Sequence, residues 1–438
     1  MSVRRVAIIG GGYGGMAAAI EATSLGAQAT VFETAKILGG RARRIEYRGT
    51  TLDNGQHILS GAYSELLRLM ALVGVGERAV RRVPLTLTMP PHFSLRAPKL
   101  PAPFHMAVAL LRASGLTWGE RIALAKMIRA LKAQRFQVNP SLTVAALLAQ
   151  HAQSTNLIHY FWQPLTISAL NTPIHTASAQ VLANILRDTL ASGRAASDLL
   201  LPQVDLSALF PDPAARWLAA HGGVVHAGKR VTAITPASLG LRVVAEDISD
   251  VFDTVILAVG PHQLDEIALP IPGPAAFAYE PIYTVYLKYP VPVPLAHPML
   301  GRPHGVTQWW FDRAALSPIG EQTQGLIAGV ISASGAHQAL SNDEIAKASH
   351  RELTELVGTL PEPSWHKVIA EKFATFACTT GLHRPAAETS HAQIFLAGDY
   401  VANDYPATLE GAVRNGTAAA KLACAAIESA RKISPPSP

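Results

Sequence analysis

The order of apolar and polar positions marks out the two ends of the chain first. Residues 5–9 (RVAII) form a short apolar, strand-like run. A cluster of glycines follows, and then Met16, Ala19, Ile20 and Leu25 recur at helical spacing. A second apolar run, 29–32, stops at Glu33, completing a strand–turn–helix–strand order. Near the other end, 394–397 is again strand-like and runs into Gly398-Asp399, with a helix predicted to begin near Glu410. Two further strand-like runs, 224–235 and 255–261, lie between. Helical periodicity covers 107–113, 118–136, 143–150 and 178–191, whereas 284–289 and 326–333 alternate as sheet. There is no internal repeat.

The turn after the first strand reads Gly10-Gly11-Gly12-Tyr13-Gly14-Gly15. In a βαβ unit each glycine of G-x-G-x-x-G has a job: Gly10 makes the tight turn, Gly12 lets a pyrophosphate approach the backbone, and Gly15 lets helix and strand pack closely. The helix start offers unpaired N–H groups to phosphate. Glu33 stands 23 residues after Gly10, placed for ribose hydroxyls. A glycine turn serving no ligand is the alternative, and the flanking strand, helix and acid weigh against it.

After the acid the chain reads Leu38-Gly39-Gly40-Arg41, then Leu52-Asp53-Asn54-Gly55-Gln56-His57, and much later IFLAGDYVANDYPATLEGAVRNG over 394–416. These stretches resemble the cofactor motifs of the amine oxidase and phytoene desaturase superfamily of flavoproteins. The resemblance implies an α/β fold with a discontinuous Rossmann-like FAD-binding domain (1–83, 216–268 and 384–432) and an α+β substrate domain. The substrate domain would take 84–215, mostly helical, and 269–383, sheet-rich, leaving 433–438 as a disordered tail. It also implies noncovalent FAD, since Cys378 lies in no attachment context. Gly39, Gly40 and Arg41 would flank the pyrophosphate and flavin, and the backbone at Gly55 would pass the isoalloxazine. Val231 would face the adenine, and Gly398 and Asp399 the ribityl or pyrophosphate. The helix start, with the N–H groups around Glu410 and Ala412, would face the flavin.

Four segments narrow the resemblance: 52–63 (LDNGQHILSGAY), 161–173 (FWQPLTISALNTP), 200–209 (LLPQVDLSAL) and 405–411 (YPATLEG). Together they resemble the squalene-associated FAD-dependent desaturase-like family, the hydroxysqualene dehydroxylases, over nearly the whole chain. That family implies reductive removal of an allylic hydroxyl from the polyprenoid lipid hydroxysqualene in bacterial squalene and hopanoid biosynthesis, with the upstream hydroxysqualene synthase as a partner. Ionising an allylic alcohol calls for an apolar cavity and a proton donor. The candidates are His57, Asp404 and Tyr405. His57 alone titrates near neutrality without a large shift, with orientation of the flavin as its alternative role. Tyr405 serves equally as packing beside Pro406, and Asp53 reads as an anchor for the turn at Gly55. Competing readings are a carotenoid-type desaturase or isomerase and a non-catalytic lipid-binding flavoprotein. An amine oxidase fits less well, because Thr408 stands where amine-oxidising relatives carry an aromatic residue.

Composition adjusts this picture in three ways. Among 438 residues 49% are hydrophobic and 16% charged, against about 25% charged in an average soluble domain. No uncharged apolar run reaches the length of about 18 residues that spans a bilayer, and MSVRRVAIIGGG leaves no room for a signal peptide, so a cytoplasmic protein is expected. Cys378 and Cys424 cannot frame disulfides or zinc, no HExxH is present, and no metal is expected. The net charge is +6 without any run of five Lys/Arg, which argues against nucleic acid. The cationic, amphipathic stretch 101–136 has two readings: a domain-surface helix packing inward, or a helix pair lying peripherally on the inner face of the cell membrane.

Overall fold

The computed structural model describes residues 3–316 and 323–433. Arg4–Ile9 lies in the middle of a five-stranded sheet with the order Val224–Ala227, Ala27–Glu33, Arg4–Ile9, Thr254–Leu257, Ile394–Leu396. All four pairings are parallel. A parallel sheet is covered on both faces, so its strands read as continuous apolar runs rather than alternating ones; Val6, Ala7 and Ile8 are fully buried.

Helix Tyr13–Ser24 packs on the long C-terminal helix Leu409–Ile433. Glycines make the crossing. A Cβ at Gly416 would fall well inside contact distance of the Gly14 carbonyl oxygen, and one at Gly14 would sit 2.9 Å from that of Ala412. The cofactor motifs at the two ends of the chain therefore meet backbone to backbone.

A second sheet is antiparallel, ordered Met299–Gly301, Trp309–Asp312, Leu326–Ser332, Tyr279–Lys288, Trp365–Phe376, with helix Asn342–Val357 packed against it. The helices expected between 107 and 191 occur as Phe104–Arg112, Trp118–Ala133, Val144–Gln150 and Ala179–Ala191. The hairpin Thr86–Met89/Phe93–Arg96 and the π-turn Ile158–Trp162 leading into helix Gln163–Leu170 were not expected. Asn171, left-handed at φ 48°, joins the helical layer to this sheet. Its Nδ2 donates to Thr375 Oγ1 at 2.9 Å and its Oδ1 accepts from Ala333 N–H at 2.7 Å.

The expected domain edge at 215/216 needs correction, because it cuts helix Pro211–Ala220 in half. Ala214 and Leu218 of that helix bury into the core of the parallel sheet with Leu206, Leu209 and Phe210. Tyr13 Oη also donates to the Leu206 carbonyl at 2.7 Å. The sequence from about Leu206 thus packs with the glycine-loop helix, not with the helical layer. Of the tail expected to be disordered, Ile433 closes the last helix; 434–438 lie outside the described residues. Among the described residues no helix is long and apolar enough to cross a membrane.

Candidate active site

The glycine loop separates two kinds of constraint. Gly10 adopts φ +112°, in the region that favours glycine. A Cβ on Gly15 would overlap the Gly10 carbonyl oxygen. Both glycines are demanded by the protein itself. Gly12 is not: its φ of −75° suits any residue, and its Cβ would find nothing closer than Gly40 Cα at 3.8 Å. No side chain caps helix Tyr13–Ser24, and its first internal bond is Met16 N–H to Gly12 O at 2.9 Å. The amides of Tyr13, Gly14 and Gly15 therefore open beside a space that a side chain at residue 12 would fill. A cradle of this shape and polarity fits a pyrophosphate.

Glu33 sits at the end of its strand, half-buried, with Oε2 accepting Gly11 N–H and Oε1 accepting Ala35 N–H, each at 2.7 Å. One lone pair per oxygen remains for a ribose hydroxyl. Lys229 N–H donates to Glu33 O at 2.8 Å, which brings buried Val231 to the same edge. Gly39 N–H bonds Gly11 O at 3.0 Å, so the Gly39-Gly40 turn lies against the glycine loop.

From that turn Arg41 reaches across the chain, and its Nη2 donates to Asp399 Oδ1 at 2.7 Å. Asp399 follows Gly398, which is held at φ +137°. The pair lines a small cleft together with Gly260, His262, Tyr279 and Tyr400. The phenol oxygens of Tyr279 and Tyr400 are buried without a partner among the described residues. Buried hydroxyls are seldom left unpaired, so these two offer donors that fit a polar ligand such as a flavin.

Two residues that the sequence reading missed hold this second motif in place. The Arg384 guanidinium donates to the carbonyl oxygens of Asp399, Tyr400, Val401, Asn403 and Tyr405, wrapping the whole turn. Asn415 Nδ2 donates to Gly398 O at 2.7 Å and Val401 O at 2.9 Å. Arg384 lies outside every quoted motif, and Asn415 lies inside the 394–416 stretch without a role assigned there, since every partner of both is a backbone carbonyl.

The start of the C-terminal helix differs in detail from expectation. Ala412 N–H is already bonded to Thr408 O at 3.0 Å, and Gly411 N–H to the Thr408 hydroxyl at 3.1 Å. The open amides belong to Leu409 and Glu410, one turn earlier than Ala412. The Glu410 side chain is turned away to a structural task, fully buried and accepting Glu65 N–H and Leu66 N–H at 3.0 and 2.9 Å. It thereby caps helix Ser64–Leu72 and holds Arg414 Nε at 2.7 Å. Glu410→Ala is expected to cost roughly 2–4 kcal/mol, seen as an earlier midpoint in chemical denaturation, with Glu410→Gln recovering about half.

The candidate proton donors are dispersed. Asp404 is largely exposed and pairs with Arg187 at 3.3 Å. Tyr405 Oη donates to Asp188 Oδ2 at 2.7 Å, so its proton is committed. His57 Nδ1 lies 2.8 Å from Gly55 O. A carbonyl only accepts, so Nδ1 carries the hydrogen and Nε2 is a bare acceptor in the neutral ring. Burial, with the Arg41 charge, holds the His57 pKa below its ordinary value, against the raising effect of the Gly55 bond. His57 is thus a neutral acceptor, and the geometry does not support the acid role expected of it. Asp53 is buried and pushed up to about 6 by burial, partly offset by Arg313. Its Oδ1 accepts Leu206 N–H, its backbone carbonyl accepts the Tyr286 hydroxyl, and Arg313 bonds Gln56 Oε1. This network pins the Asn54-Gly55 turn between the two sheets.

Residues 13–424 match the flavin containing amine oxidoreductase family. Among named relatives, a hydroxysqualene dehydroxylase from Zymomonas mobilis is 26% identical over 95% of this chain and 98% of its own length. One from Rhodopseudomonas palustris is 28% identical over 97% and 99%. A probable zeta-carotene desaturase from Synechococcus elongatus is 24% identical over 95% and 98%. A solved oxidoreductase from Methanosarcina mazei superposes with TM-score 0.75 over 95% of this chain and 100% of its own, at 17% identity, and so shares the fold. The fold class and the resemblance read from the sequence are those found. The chain is a flavin-dependent oxidoreductase and belongs to the flavin containing amine oxidoreductase family.

Proposed function

We propose that this protein binds FAD noncovalently and catalyses the reductive dehydroxylation of hydroxysqualene to squalene. The observation that carries the reading is the end-to-end likeness to proteins named hydroxysqualene dehydroxylase, which takes in the substrate-side segments as well as the cofactor motifs. Thr408 supplies a helix cap where an amine cage would need an aromatic ring, which tells against a charged amine as substrate.

The glycine loop and Glu33 would hold the adenosine diphosphate half of the cofactor, and Arg41 and Asp399 the pyrophosphate and ribityl region. Reduced FAD (FADH2) would supply, when bound, both a hydride to carbon and the proton with which the hydroxyl leaves as water. The chain's own part is to exclude water, to keep the hydroxyl end near the flavin, and to manage its proton. His57 Nε2, as an acceptor, can orient the substrate O–H but cannot protonate it at neutral pH. His57→Gln is therefore expected to keep its flavin and to lower kcat about tenfold, while the pH–rate profile between about pH 7 and 9 keeps its shape. An acid role would instead make wild-type activity rise steadily as pH falls across this window toward the lowered His57 pKa, which lies below it, and would abolish that rise in the variant.

The full-length likeness to a carotene desaturase sustains a second reading, an oxidative desaturase of a carotenoid-type polyprenoid. The two differ in the direction of electron flow. Purified protein given hydroxysqualene and a chemical reductant is expected to form squalene, detected by gas chromatography–mass spectrometry, and oxidised protein given zeta-carotene to form nothing. The reverse outcome establishes the desaturase.

A further inference from the structure

Helices Phe104–Arg112 and Trp118–Ala133 form a hairpin whose inner side buries His105, Ala109, Leu124, Met127 and Leu131. Its outer side is not polar, as an ordinary surface helix would be. Phe104, Leu111, Trp118 and Ile122 are 63, 56, 66 and 53% exposed. With Leu100 they make five of the thirteen exposed large apolar residues described, all within 23 positions. Phe104 and Leu111 are seven apart, and Trp118 and Ile122 four apart, so each pair shares one helix face.

The charge on this hairpin is equally one-sided. Residues 97–135 hold seven of the chain's 37 Lys/Arg and one of its 31 Asp/Glu, so this stretch carries the entire net charge of +6 and the rest balances 30 against 30. The single acid, Glu120, is occupied: it closes a capping box with Thr117 and accepts the Ser154 hydroxyl at 2.6 Å. Lys126, Arg129 and Lys132 stand exposed beside the apolar residues. Arg121 lies over the Trp118 ring at 4.9 Å and ties the turn by donating to Leu110 O and Ala113 O. Asn156 Nδ2 bonds Gly115 O at 3.0 Å, fixing the hairpin tip to the segment that enters the π-turn.

From these observations we infer that the hairpin 100–133 is a docking face for an anionic lipid bilayer, with Phe104, Leu111, Trp118 and Ile122 entering the interface and Lys126, Arg129 and Lys132 meeting the headgroups. An exposed apolar face ringed by cations is the composition that such surfaces select. A second copy of this chain is a poor occupant, because its own hairpin would bring a like charge of the same size. The inference holds independently of the reaction proposed above, and it requires no membrane-crossing segment.

Flotation of the full-length, flavin-loaded protein with vesicles tests it. Vesicles containing about one-third phosphatidylglycerol in phosphatidylcholine should carry the protein upward at low salt, and pure phosphatidylcholine vesicles should not. Lys126→Glu/Arg129→Glu/Lys132→Glu and, separately, Phe104→Ser/Trp118→Ser should each lower the partition coefficient at least tenfold. Flavin absorbance and thermal midpoint, unchanged in both, show that the variants fold. Wild type that stays below the anionic vesicles, variants that float like wild type, or a dimer in light scattering that the variants dissolve would each overturn the inference. Vesicle binding is read without turnover, so a failed dehydroxylase assay leaves this result standing.

Discussion

Gly15→Ala is expected to give little folded protein, whereas Gly12→Ala should fold normally and bind flavin at least tenfold more weakly. The two positions lie three residues apart in one motif, and a motif reading treats them alike. The structure separates them. At Gly15 the added methyl would occupy the place of the Gly10 carbonyl oxygen, which is itself fixed by Gly10 N–H bonding Phe32 O at 2.8 Å. Neither the turn nor the helix can yield without parting strand from helix. At Gly12 the methyl meets no protein atom within 3.8 Å and strains no backbone angle. What it fills is the cradle in front of the open helix amides. Soluble yield and circular dichroism report the first effect, and flavin titration of the apoprotein the second. If Gly12→Ala retained wild-type affinity, the cradle would not be where the cofactor's phosphates lie.

Arg384→Met is the second large effect. Five carbonyl oxygens of the 399–405 turn lose one shared donor, and among the described residues no carboxylate bonds this guanidinium. Burial alone already presses its pKa down, so the charge is retained at a cost and for these bonds. Leaving several carbonyls without a donor is worth about 3–5 kcal/mol. Methionine keeps the packing on Phe376, over whose ring the guanidinium lies at 4.9 Å, so the loss isolates the hydrogen bonds. We expect an earlier unfolding midpoint together with weakened flavin retention, because Asp399 rides on the turn. Fluorescence of released flavin during a thermal ramp measures both. A variant that unfolds early yet keeps its flavin up to that point would show that the turn does not position Asp399.

The contrast between Gly12 and Arg384 also shows what a sequence reveals of such a site. The glycine loop is legible because its constraints are local: turn, close approach and helix start are spelled within six residues. The resemblance assigned Arg41 and Asp399 separately to the cofactor, and their ion pair, spanning most of the chain, emerged only with the fold. Arg384 left no signal, and Asn171 and the side chain of Glu410, although inside quoted stretches, gave no hint of their roles, since most of their partners are backbone groups brought near only by folding. His57 was visible as a residue but not as a tautomer, which its bond to Gly55 O decides. The edge at 215/216 failed for a related reason: helix Pro211–Ala220 has an ordinary amphipathic pattern, and nothing in it tells which core its apolar side will join. On the hairpin the cations were plain in the sequence, while the outward position of Phe104 and Trp118 emerged only with the fold.

The central claim is that electrons stored in the bound flavin leave it to replace the hydroxyl of a polyprenyl alcohol. An anaerobic single turnover tests it most directly: chemically reduced protein, freed of excess reductant, is mixed with hydroxysqualene in detergent while flavin absorbance is followed and the lipid is quantified. The account requires flavin reoxidation and squalene formation to advance together, one squalene for each flavin reoxidised. Flavin that stays reduced while hydroxysqualene is recovered unchanged would contradict it.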